Sequence, residues 1–130
     1  MTDIDDSSDV ARITIQLYRG ALIASIQVDL EERVLRQFQS DLLEAIRLND
    51  ANFAIVDLSG VEVMDGHDFK GLRRVINVAS LLGAETVLCG IQPGVAASLV
   101  DLDLFLDDLS TCLNLDVALA HIASLELKNM

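Results

Sequence analysis

A chain of 130 residues with 52% hydrophobic and only 4% aromatic residues, and no Trp, is enough for one domain around an aliphatic core of Leu, Ile, Val and Ala. Its 21 acidic against 9 basic residues give a formal net charge of -12, a field that repels nucleic acid and anionic membrane surfaces. The apolar runs are broken by charge or Gly well before the roughly 18 residues of a membrane span, and a soluble, cytoplasmic protein is expected.

Residues 1–10, "MTDIDDSSDV", are acidic and polar, without the basic start or apolar run of a signal peptide, and read as a disordered tail before a domain over 11–130. Ile13 to Tyr18 and Ala21 to Gln27 then form two β-leaning runs split by Arg19-Gly20, the pattern of a tight antiparallel hairpin. Asp29 with Glu32 has capping-box spacing. Beyond it Leu30, Val34, Leu35, Phe38, Leu42, Ala45 and Ile46 recur at helical spacing, which predicts a first amphipathic helix.

"FAIVDL", Phe53 to Leu58, is a short apolar run suited to a strand covered on both faces. A turn rich in acids follows, and Phe69, Leu72, Ile76 and Ala79 mark a second helix that ends at Gly83, a natural left-handed C-terminal position. "ETVLCGI" is a second buried strand, and Pro93 can open a third, short helix because its missing N–H would be unsatisfied in the first turn anyway. A β-capable piece around Leu109 to Leu113 precedes a terminal helix from Leu115 to Leu127, capped by Asn114. Strands alternating with helices in this way predict an α/β domain with a mainly parallel or mixed sheet of four to five strands and about four helices.

The turn Asp65-Gly66-His67-Asp68 is the one place where acids and a histidine meet. Asp65 is placed to cap the second helix, and Asp68 to favour the positive end of its dipole. A nucleophile–base pair is missing, because there is no G-x-S-x-G elbow and the other histidine, His121, belongs to the terminal helix. A metal site from Asp65, His67 and Asp68 is not expected, because His67 stands only two and one residues from the acids rather than at the i, i+3 or i+4 spacing that brings helical ligands together, and such close neighbours at a helix start rarely converge on one ion. The glycines of "GAETVLCGIQPG" form neither a Walker loop nor a dinucleotide fingerprint. Neither catalysis nor a cofactor or metal is expected. The pairs Arg33/Arg36 and Arg73/Arg74 read as solvated helix faces, and Cys89 and Cys112, without CxxC spacing, as reduced packing thiols.

Taken together, "FQSDLLEAI", "AIVDLSGVEVMD", "LLGAETVLCGIQPGVAASLV" and "LDLFLDDLSTCLNLDVAL" resemble the STAS domain family, and within it the single-domain RsbS-type antagonists of bacterial stressosomes. The resemblance runs from about Ile13 to Leu125, with "GIQPGVA" its most specific part. It implies a non-enzymatic switch that packs with sensor-bearing STAS paralogs into a large cytoplasmic scaffold, as a homo- or hetero-oligomer. Such a scaffold sequesters a serine/threonine kinase and releases it on phosphorylation, with a PP2C-type phosphatase as the reversing partner. A simple anti-sigma-factor antagonist in a small complex is the alternative the family allows.

The family's usual phospho-acceptor is the Ser or Thr directly after the Asp that opens the second helix, and here that position is Gly66. Glycine has no hydroxyl to modify. Ser98, near the start of the third helix, matches a second phosphorylation site of the sensor-bearing paralogs, although a helical serine often only bonds back to a carbonyl. Asp65 to Asp68 and the turn from Pro93 to Ser98 are the expected partner-facing surface.

Overall fold

The computed structural model describes residues 11–102 and 108–128, so the tail expected over residues 1–10 lies outside the described residues. Strand β1 (Thr14–Tyr18) turns into β2 (Ala21–Ser25) through Arg19 and Gly20, whose φ values of 51° and 84° are the paired left-handed angles of a type I′ hairpin. Helix α1 (Glu32–Asn49), β3 (Phe53–Asp57), α2 (Gly66–Leu81), β4 (Glu85–Cys89), α3 (Pro93–Asp101), β5 (Ser110–Cys112) and α4 (Leu115–Lys128) follow in the predicted order. The five strands lie side by side in chain order, β1–β2 antiparallel and every later pair parallel.

One correction concerns the start of α1. The N-cap is Glu31, extended at φ -66° and ψ 157°, and no side-chain cap bond forms there. Its carbonyl accepts the first helical bond from the Leu35 N–H at 2.9 Å, which leaves Asp29 upstream of the cap. Packing sets this boundary instead: Leu30, just before the cap, and Leu35, four residues into the helix, are both buried in the same cluster, at the positions of a hydrophobic staple. Caps at the other two predicted starts hold, Asp65 for α2 and Asn114 for α4, whose Oδ1 accepts from the Val117 N–H at 2.9 Å. Helix α2 ends at the C-cap Leu82, followed by Gly83 at φ 90°.

Alternation along the strands divides the interior into two layers. Leu22, Ala24, Ala54, Val56 and Leu88 pack in one cluster with Phe38 and Leu42 of α1, Phe69 and Leu72 of α2, and Val95 and Leu99 of α3. The opposite sheet face, with Ala21, Ile23, Phe53, Ile55, Val87 and Cys89, is closed by Ala118 and Ile122 of α4. Helices α1 and α2 approach closely at Gly71, where a Cβ would come within 2.6 Å of Leu35 Cδ1. With three helices on one face and one on the other, the loops after β3 and β4 meet at the C-terminal edge of the sheet, where α/β folds place their functional segments.

Candidate partner-facing site

The site begins where β3 ends. The Leu58 N–H donates to the Cys89 carbonyl at 2.9 Å, extending the β3–β4 ladder by one bond, and the Ser59 N–H donates to Asp57 Oδ1 at 3.0 Å. Val61 closes a turn onto the Leu58 carbonyl, and Met64, 2% exposed, plugs the loop into the core. The chain therefore arrives at α2 in a defined position.

Asp65 is extended, at φ -89° and ψ 175°, and its Oδ1 accepts from the Asp68 N–H at 2.7 Å. Its carbonyl takes the first helical bond from Phe69, a buried residue, so cap and core fix the helix start together. Gly66 is the first helical residue and offers only backbone there. Asp68 is half-buried, and its carboxyl is pushed above the ordinary range, first by desolvation and then by the charge of Asp65. It lines an open cleft of about 450 Å³ with Gln27, Asp29, Glu31 and Glu62, an acidic surface at the edge of the sheet.

His67 is exposed and turns away from that cleft into a second groove, of about 240 Å³, between α1 and α2. Leu35, Gly71 and Val75 form part of its lining, and Arg36, Lys70 and Arg74 bring positive charge to it. Arg36 is held by Glu32 at 3.3 Å, an exposed ion pair. The adjacent arginines of α2 separate, because successive residues on a helix point about 100° apart: Arg74 lines the groove, while Arg73 pairs with Asp108. Asp65, His67 and Asp68 thus do not converge, and among the described residues no group of three or more His, Cys, Asp or Glu is arranged to hold a metal ion.

Helix α3 is tied to the same edge. Gln92 Nε2 donates to the Ser59 carbonyl, and Gly94 packs against the Glu62 carbonyl, where a Cβ would lie at 2.6 Å. These contacts tie the start of α3 to the loop that leads into α2, at Ser59 and Glu62. Pro93 to Ser98 is helical rather than a turn, and Ser98 falls in the second half of α3, partly buried, with its carbonyl accepting from Leu102. Val63 and Val100, 76% and 75% exposed, add apolar surface to the loop and to α3. Sequence reading missed the groove, although His67, Lys70 and Arg74 stand at i, i+3 and i+7, the spacing of one helix face.

The STAS domain profile matches residues 12–118. The chain therefore belongs to the STAS domain family, and its five-stranded sheet with four helices is the fold that assignment implies. It is similar to a substituted RsbS of Moorella thermoacetica, with a TM-score of 0.76 and 30% identity over 89% of this chain and 98% of that one. A chain from the molecular architecture of the stressosome, described as a signal integration and transduction hub, is similar at TM-score 0.76 and 30% identity, covering 87% and 98% of the two chains. The RsbT co-antagonist protein RsbRD of Bacillus subtilis (strain 168) is 29% identical over 102 residues, 78% of this chain and 37% of that protein, so the chain spans little more than a third of that relative's length. Among the described residues no helix is long and apolar enough to cross a membrane.

Proposed function

We propose that this STAS domain is a non-catalytic scaffold subunit of a stressosome-like cytoplasmic complex that controls a serine/threonine kinase by partner switching. The observation that carries the reading is similarity over nearly the whole chain to RsbS and to a stressosome chain. Its docking surface is the edge formed by Asp65 to Asp68 and α3, with sensor-bearing STAS paralogs and the kinase as partners and a PP2C-type phosphatase acting on the assembly. With glycine after the capping Asp65, this subunit stays unphosphorylated at the usual position, and the paralogs carry the modification. Ser98 is the secondary acceptor, and its partial burial means that α3 must loosen before a kinase can reach it.

Two measurements test this. Co-purification with a sensor-bearing STAS protein, followed by light scattering, should give a particle far larger than a one-to-one complex; a small complex would favour a simple anti-sigma-factor antagonist. Incubation with the cognate kinase should leave residues 65–68 unmodified while a Gly66→Ser variant is phosphorylated at that serine. Efficient modification of the unaltered chain anywhere at the α2 start would overturn the locked-state part of the proposal.

A further inference from the structure

The parallel register lines up one row of side chains across four strands: Ser25 opposite Asp57, Asp57 opposite Cys89, and Cys89 opposite Cys112. All four fall on the sheet face that α4 covers, because they share strand parity with Ala21, Ile23, Phe53, Ile55 and Val87. Neighbouring strands lie about 4.8 Å apart. In-register Cα atoms at that spacing are inside the window of roughly 4.4–6.8 Å that a disulfide spans.

We propose that Cys89 and Cys112 form a reversible intramolecular disulfide when the protein meets a peroxide. The two thiols differ in access, since Cys89 is 0% exposed within the sheet whereas Cys112 is partly exposed on β5. Oxidation therefore begins at Cys112. Its thiolate sulfur attacks one peroxide oxygen, the O–O bond breaks, and hydroxide leaves, giving a sulfenic acid. The Cys89 sulfur then displaces the sulfenic oxygen, forming the S–S bond and releasing water. The Asp57 carboxylate, directly opposite Cys89 in the β3–β4 register, takes the thiol proton and passes it to the departing hydroxide. One peroxide is reduced to two waters for each dithiol oxidised.

The fold permits the small closure this needs. Strand β5 has three residues and forms an edge of the sheet, held to β4 by three register pairs, so its approach to Cys89 disturbs little else. With Cys112 partly exposed at the sheet edge the bond is open to thiol reductants, and exposed disulfides are the labile, regulatory kind. Closing it ties β5 to β4 at both ends of residues 90–111, the segment that carries α3.

The test treats the full chain in its native state with hydrogen peroxide, blocks remaining thiols with iodoacetamide in denaturant, and maps peptides by mass spectrometry. The expected result is a crosslinked Cys89–Cys112 peptide pair, lighter by two hydrogens, in monomeric protein and lost on adding dithiothreitol. In a Cys89→Ser variant the crosslink should vanish and dimedone should trap the sulfenic acid at Cys112. Stable sulfinic acid at Cys112 without a crosslink, disulfide-linked dimers instead of the internal bond, or a crosslink that forms only in urea would each overturn the proposal.

Discussion

Gly94, the second residue of α3, lies against the carbonyl of Glu62, so close that a Cβ at position 94 would stand 2.6 Å from that oxygen. The neighbour is backbone in a loop already pinned by Val61 and Met64, so it cannot swing aside as a side-chain end would. Gly94→Ala should cost about 1–3 kcal/mol, the usual range for overpacking. Urea denaturation would show a lower midpoint with an unchanged slope. Because the clash pushes α3 away from the loop that leads into α2, the variant should also bind the proposed STAS partner more weakly than the stability loss explains.

Asp65 holds the α2 start through one bond to the Asp68 N–H. Asp65→Ala removes it and should destabilise the domain by about 1 kcal/mol, whereas Asp65→Ser or Asp65→Asn, which retain an acceptor, should recover most of the loss. Thermal melts of the three variants side by side would check the order.

Most of the fold can be read in the chain because each strand and helix carries its own local signal. Phe53 to Val56 and Val87 to Cys89 are uninterrupted apolar runs, as central parallel strands require, and Asp65, Asn114 and Gly83 mark helix ends by chemistry that acts within a few residues. The start of α1 is different: Asp29, Glu31 and Glu32 are all plausible first-turn acids, and the choice is made by where Leu30 and Leu35 pack, a tertiary fact. The α1–α2 groove and the Asp57–Cys89–Cys112 row are likewise invisible along one chain, since helix pairing and strand register create them. Asp65 could be placed as a cap in advance because its bond to the Asp68 N–H spans a single turn.

Lys70 and Arg74 line the α1–α2 groove with exposed side chains on an otherwise acidic protein, which suits an acidic partner surface. Replacing both by Glu should leave the melting curve nearly unchanged, since exposed substitutions usually stay within about 0.5 kcal/mol. Binding to the STAS partner should fall by about tenfold or more for the pair, with most of the loss in the association rate. Repeating the binding measurement across a salt series should show a shallower salt dependence in the variant.

Asp68 has a carboxyl pushed upward by desolvation and by Asp65, so the folded protein holds that proton more tightly than the unfolded chain. Between about 3.9, the ordinary Asp value, and the raised folded value, the native state binds more protons, and this group's contribution to stability falls as pH rises. Asp68→Asn, which cannot ionise, should remove that loss. Its stability relative to the unaltered chain should therefore grow as the pH is raised through this window, a comparison that paired urea titrations at successive pH values would provide.

Cys89 gives the same kind of case at alkaline pH. Burial, together with the nearby Asp57 and Cys112, pushes its thiol up to about 12, while in the unfolded chain a cysteine ionises at about 8.5. Below the unfolded value both states keep the proton and the full stability is present. As pH climbs between the two values, the unfolded state releases its proton and the native state does not, so stability falls. In Cys89→Ala this pH dependence is gone, with a lower baseline from the small cavity left in the α4-side layer. The variant's stability-versus-pH curve should run flatter than the parent's from about 8.5 upward. Iodoacetamide labelling checks the same asymmetry directly: in the native protein Cys112 should react first, and Cys89 only after the domain opens.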